Sequence, residues 1–381
     1  MSQNSLNIYL TKNNNFIPTD TNPNVFVYNE NGLSNNAKWI KKNIEQNDCN
    51  YVIYDHNSCI YSIAKKYLLE QDYYIENITF QGKVSVSINP FDCIRDISDI
   101  HFMFLSFLHI LWDENDEDIS AMSNLLDAFA NCVYSMFVEQ PEKLTMATLK
   151  KMVYSVRAVC TAESNSVAMV DAIFANIKDK ESMACKYYNQ FLLASGDRKD
   201  EVAEKLACAF DNMTELEVEM MSKTDSSVIT SFKPKFKTAF FLNASNAQEE
   251  QSSKLLLTML NYCMQKTQED NRVLFIIDNL QADNKLISLP QWLQNATSYG
   301  ANYIIFSDDL AKFKESDVKT QYFRNIQQSI GASLLIHRND SVIKYQNKLP
   351  TTQEEMCEYA AIQQLATVLI GETVSKDDVL F

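Results

Sequence analysis

The chain reads as an α/β protein with a mainly parallel sheet flanked by helices, interrupted by an all-helical insertion, and three observations predict this. Short β-branched and aromatic runs alternate with amphipathic stretches near the start of the chain. Over residues 97–228 only helical periodicity is found. Strand-like runs then return, several of them apolar on both faces.

The first strand is NVFVY, Asn24 to Tyr28, followed by a polar segment and a helical pattern from Ala37 to Ile44. YVIYD (Tyr51 to Asp55), a helix from Ile60 to Glu70 and YYIENITF (Tyr73 to Phe80) continue the alternation. Strand and helix in strict turn imply parallel pairing through right-handed crossovers. After Asn89-Pro90-Phe91-Asp92 the pattern becomes helical: Ile100 to Trp112, Ile119 to Val138, Met146 to Val159, Val167 to Ile177, Met183 to Ala194 and Val202 to Met213. Strands resume as TAFFLNA (Thr238 to Ala244), RVLFIIDN (Arg272 to Asn279), ANYIIFSDD (Ala301 to Asp309) and SLLIHR (Ser333 to Arg338). Ser252 to Gln265 and Leu289 to Tyr299 have helical length and period between them. Thr351-Thr352-Gln353-Glu354 is a capping-box pattern that announces a last helix ending near Gly371. The expected division is 1–96 and 229–371 for the two parts of the α/β domain, 97–228 for the helical domain and 372–381 for a loose tail.

Charge narrows the function classes. A net charge of -15 and a pI near 4.8 argue against a surface that neutralises phosphates, so direct DNA binding is not expected. Acid is concentrated at Asp113, Glu114, Asp116, Glu117 and Asp118, a partner surface for a basic protein or a solvated loop at a helix entry. The nine cysteines are odd in number, spread out and without a C-x-x-C pair, so they read as reduced thiols and not as a disulfide frame or zinc site. Met1 to Tyr9 shows no signal-peptide pattern, and the most apolar run, Phe102 to Trp112, is too short to span a bilayer. A cytoplasmic protein is expected, peripheral to a membrane only through partners. Six glycines in 381 residues leave few places to wrap backbone around phosphates.

Smaller constellations carry less. His56 and Cys59 lack a third partner and read as a turn at a strand end. His101 and His109 lie on a helix whose stripe Phe102, Met103, Phe104, Phe107, Leu111 and Trp112 reads as core or interface.

The order and wording of the segments resemble the TraG-type coupling proteins of conjugative type IV secretion. YVIYDHNSCIYSIAKKYLLEQDYYIENITF, followed by INPFDCIRD, is similar to the family's D-P-K-G-E strand end, helix, strand and N-P-[LF]-D-x-I-R-D segment. TAFFLNAS, FIIDN and NYIIFSDDLAKF extend the likeness from Asn24 to Asn347. The resemblance implies a RecA-like P-loop ATPase fold interrupted by an all-α domain, and a place in an oligomeric DNA- or protein-transfer machine.

The catalytic wording departs from that family. In G-x-x-x-x-G-K-[ST] the glycines free backbone amides, the lysine reaches phosphates and the hydroxyl holds magnesium. Here the corresponding positions are Asn29, Ser34, Asn35 and Asn36, with only an internal Gly32 kept. The acidic pair after VLFII becomes Asp278-Asn279, and an amide cannot accept the proton that general-base work requires. D-P-K-G-E becomes Asp55-His56-Asn57-Ser58-Cys59. The expectation is a non-hydrolysing subunit without cofactor, metal or catalytic residues, in which Asn29, Gly32, Ser34, Asn35, Asn36, Asp278 and Asn279 are remnants of a nucleotide site. Its partners would be proteins of the apparatus: a coupling ATPase, relaxosome components or substrates, in a homo- or hetero-oligomer. One alternative is an active ATPase taking ATP and magnesium at Asp278 with a lysine from a neighbouring subunit; another is a nucleic-acid-binding module.

Overall fold

The computed structural model describes residues 8–9, 16–17, 24–29, 36–46, 49–56, 58–80, 86–113, 116–157, 168–223, 237–266, 272–281, 286–308, 313, 316–336 and 342–345. The chain divides into two compact units, 1–79 with 232–253 and 267–381, and 80–231 with 254–266.

The first unit is built on a sheet. A short antiparallel pair, β1 (Ile8–Tyr9) and β2 (Phe16–Ile17), stands apart from it. The main strands are β3 (Val25–Asn29), β4 (Asn50–Asp55), β5 (Tyr74–Ile78), β6 (Thr238–Asn243), β7 (Val273–Ile277), β8 (Ala301–Ser307), β9 (Ala332–Ile336) and β10 (Val342–Tyr345). They form one eight-stranded sheet in the order β10-β9-β3-β8-β7-β4-β6-β5. All neighbours are parallel except β10, which returns antiparallel to β9. The expected mainly parallel sheet is therefore present, and every residue of β4, β6, β7 and β8 is buried, as strands covered on both faces require.

Helices α1 (Asn36–Gln46) and α2 (Cys59–Glu70) cover one face. Ile40 and Ile44 of α1, and Ile60, Ala64 and Leu68 of α2, recur at the four-residue spacing that lines one side of a helix. They pack on Val25, Val27, Tyr51, Ile53, Ala239, Phe241, Leu274, Ile276, Ile304 and Phe306, with Trp39 edge-on to Phe306 at 5.4 Å. The unit also holds α11 (Leu289–Asn295) and α12 (Asp317–Gln328), the latter N-capped by Ser316, whose hydroxyl accepts from the Lys319 amide. The sequence pattern gave no sign of α12 or β10: both are short, polar or edge elements. The last helix expected from Thr351, and the tail after it, lie outside the described residues.

The second unit is helical: α3 (Ser98–Leu111), α4 (Ile119–Phe137), α5 (Met146–Tyr154), α6 (Ala168–Asn176), α7 (Met183–Ser195), α8 (Lys199–Asp211), α9 (Glu215–Met220) and the greater part of α10 (Ala247–Lys266). α4 is its centre, packing most extensively on α7 and also on α3, α5 and α8. Met103, Phe104, Phe107 and Leu111 of the aromatic stripe are in the core, whereas Phe102 is 38% exposed. α9 is opened by a true capping box: Thr214 Oγ1 accepts from the Glu217 amide and Glu217 accepts from the Thr214 amide.

One expectation about cysteine is corrected. Cys93 and Cys263, both buried, are joined by a disulfide with Cα atoms 4.7 Å apart. They are separated by 170 residues in sequence, so no local spacing signals the pair. Cys132, Cys185 and Cys208 are free thiols.

Candidate functional site

All but one of the strands of the main sheet run the same way, so their carboxyl ends share one edge, the usual place for a ligand in open α/β sheets. β8 alone separates β3 from β7. α1 follows β3 in sequence, and its first residue lies at the end of β7. There Asn36 Nδ2 donates to Asp278 Oδ1 at 3.1 Å. Both side chains are buried. Of the expected remnant residues the structure thus brings Asn36, Asp278 and Asn279 together at one edge, with Asn29 on the end of β3. Gly32, Ser34 and Asn35 lie outside the described residues.

The electrostatics of this edge are one-sided. Burial pushes the Asp278 carboxyl up to about 7, the Asn36 hydrogen bond opposes this, and Asp55 and Asp308 add to it. Asp55 ends β4 and is fully buried. Its Oδ2 accepts from the Tyr61 amide at 2.9 Å, so it caps the first turn of α2, while its Oδ1 has no partner among the described residues. Burial raises Asp55 as well, against the amides of Tyr61, Ile60 and Cys59. Ser307 Oγ, at the end of β8, is likewise buried without a partner among the described residues. Among the described residues only His56 opposes the raised Asp55 as a cation, and carboxylates gathered this way favour a proton or a bound positive charge.

Asn279, the residue after Asp278, is buried beside it. Its backbone is left-handed, with φ 69°, a conformation asparagine tolerates better than most residues. Leu280 then donates its amide to Phe306 O, tying the turn to β8. The side chain is an amide, so no proton acceptor is supplied there.

The acidic run expected as a partner surface lies elsewhere, in the helical unit. Asp116 Oδ1 and Asp118 Oδ2 both accept from Lys205 Nζ, at 3.0 and 2.7 Å. Asp118 also pairs with Arg198, as does Glu117. Asp116 further accepts from Trp112 Nε1. These acids fasten the start of α4 to α8; Asp113 is exposed and Glu114 lies outside the described residues.

Residues 219–348 match the family model described as the type IV secretion-system coupling protein DNA-binding domain. No curated protein sequence matches significantly. Among solved structures, the plasmid coupling protein TrwB in complex with ADP and Mg2+ superposes with TM-score 0.59 at 15% identity, over 86% of this chain and 74% of that one. TrwB with a non-hydrolysable GTP analogue gives TM-score 0.61 at 14% identity, over 87% of this chain and 75% of that one. VirB4 of Thermoanaerobacter pseudethanolicus gives 0.51 at 11% identity, over 96% and 89%. At these identities the likeness is one of fold.

Two expectations change with these findings. The site was expected to take no cofactor, yet TrwB structures on this fold hold ADP with Mg2+ and non-hydrolysable GTP and ATP analogues. The residues present fit the cation: Asp278, the Asn36 amide oxygen and the open Asp55 oxygen are hard oxygen donors of net negative charge. Among the described residues no three His, Cys, Asp or Glu side chains are grouped to hold a metal by themselves. A magnesium ion here would complete its shell with phosphates and water, its usual habit. The exclusion of DNA by net charge also fails, because the matched domain is described as DNA-binding and net charge averages over surfaces that act separately. No helix among the described residues is long and apolar enough to cross a membrane. Residues 219–348 are thus similar to the DNA-binding domain of type IV secretion-system coupling proteins, and the chain as a whole shares the fold of the plasmid coupling protein TrwB.

Proposed function

We propose that this chain is a coupling-protein-like subunit of a conjugative transfer apparatus that holds a magnesium-bound nucleotide at the carboxyl edge of its sheet and does not turn it over. The observation that carries the reading is the Asn36 to Asp278 hydrogen bond, which joins the start of α1 to the end of β7 at the carboxyl edge of the sheet. Asp278 and Asn36 would hold the ion, which neutralises phosphate charge when bound. Asn36 fixes the orientation of the Asp278 carboxylate, and the buried Asp55 and the half-buried Asp308 keep the local potential negative. Asn279 orients without accepting a proton, so water beside it is not activated. The subunit then works by docking, with the helical domain, 97–228 in the sequence division, as the surface that meets relaxosome or substrate proteins and the matched domain as the one that meets DNA.

Thermal unfolding in the presence of nucleotide tests the site. Magnesium ADP and magnesium ATP are expected to raise the unfolding midpoint, and nucleotide with chelator to leave it unchanged. No shift at millimolar magnesium nucleotide would refute the nucleotide site. Phosphate release well above that of an Asp278→Ala control would refute the absence of turnover.

A further inference from the structure

In the helical unit α3, α4 and α7 meet at a polar contact that no part of the nucleotide site uses. His101 Nδ1 of α3 lies 2.6 Å from Asp127 Oδ2 of α4. The Asp127 side chain is 1% exposed and that of His101 32%. Tyr187 of α7 stacks on the imidazole, with ring centroids 5.8 Å apart and planes 14° from parallel. Asp127 Oδ1 and Asn131 Oδ1, one turn apart on α4, are buried without partners among the described residues. The ionisable groups acting on the pair are His101 and Asp127 themselves and Tyr187, with the Ser123 hydroxyl as a further donor. Helices α5 and α8 also pack on α4, but among their described residues no charged group acts on either member.

We infer that His101 and Asp127 form a proton-operated catch, which clamps α3 to α4 while the imidazole is charged and loosens when it is neutral. A fully buried carboxylate needs a cation beside it, and His101 is the one this contact supplies. The hydrogen bond to Asp127 holds the imidazole above its ordinary range, against the opposing effect of burial. Burial pushes the Asp127 carboxyl up. The two shifts act in the same direction. The histidine contribution is complete below its unfolded value of about 6.5 and is lost as pH rises through the raised folded value. The cost of a buried ionised Asp127 also grows as pH rises beyond the ordinary carboxyl range. The catch therefore opens towards alkaline pH.

Hydrogen exchange on the full chain, corrected for the intrinsic effect of pH, tests this alongside NMR titration of the imidazole. The His101 ring is expected to titrate above 6.5. Protection of α3 and α4 is expected to fall about tenfold or more between pH 6 and pH 8.5 relative to β7. In His101→Gln, which keeps a donor without a charge, that change with pH should vanish. Asp127→Asn should return the His101 titration to its ordinary value. An imidazole titrating at or below 6.5, or the same protection ratio in the native chain and His101→Gln, would overturn the catch.

Discussion

Asp278 at the end of β7 and Asp127 in the middle of α4 are almost equally hidden from water, at 4% and 0% exposure, yet they keep different company. Asp127 meets an imidazole that can carry the opposite charge. Asp278 meets a neutral amide and, further off, two more carboxylates. Burial raises both. The difference teaches that a buried acid with its own counter-charge is a structural joint. One surrounded by its own sign is a place held open for something positive.

The strongest way to break this contrast is to remove the charge at each site. Asp278→Asn keeps the shape and the acceptor for Asn36. Since the carboxyl titrates near 7 when folded and near 4 when unfolded, its ionisation costs about 4 kcal/mol of stability at pH 8. This cost is absent below the unfolded value and is fully felt once pH has risen through about 7. Urea unfolding of Asp278→Asn should therefore show a gain of up to ~4 kcal/mol at pH 8 and almost none at pH 4. Asp127→Asn should instead be destabilising near pH 6.

A smaller effect, also specific to the sheet edge, is expected from ligand. Magnesium ADP at 100 times its dissociation constant should add about 2.7 kcal/mol to the native chain. The same addition should do little for Asp278→Asn, as differential scanning calorimetry would show. Smaller again, Asn36→Ala leaves the buried carboxylate without its donor and should cost about 1–2 kcal/mol at pH 8. Protonation should erase most of that loss at pH 4. Thr214→Ala, in the capping box of α9, sets the background scale at about 1 kcal/mol and should be indifferent to both pH and nucleotide.

The sheet was legible because its central strands are apolar on both faces: VLFII and YIIF left no choice of environment. The helices of the second unit were legible from their period, and α4 matches its expected span to within one residue at its end. What escaped was whatever depends on residues far apart in the chain. Asn36 and Asp278 were each singled out, but 242 positions separate them and their bond follows only from the strand order. Asp308 entered the acidic edge unannounced, as the polar tail of a strand. His101 was placed in a packed helix, and nothing in its own neighbourhood pointed to Asp127, which is 26 residues away on another helix. The acidic run at Asp113 was visible as charge, yet the lysine and arginine that bind it lie more than two helices further along.

The bond between Cys93 and Cys263 makes a covalent ring of the chain between them, which includes α3 through α9. A protease cutting one peptide link anywhere within that ring would open it without releasing a fragment. The nicked protein would migrate as one band until a reducing agent parted it into two.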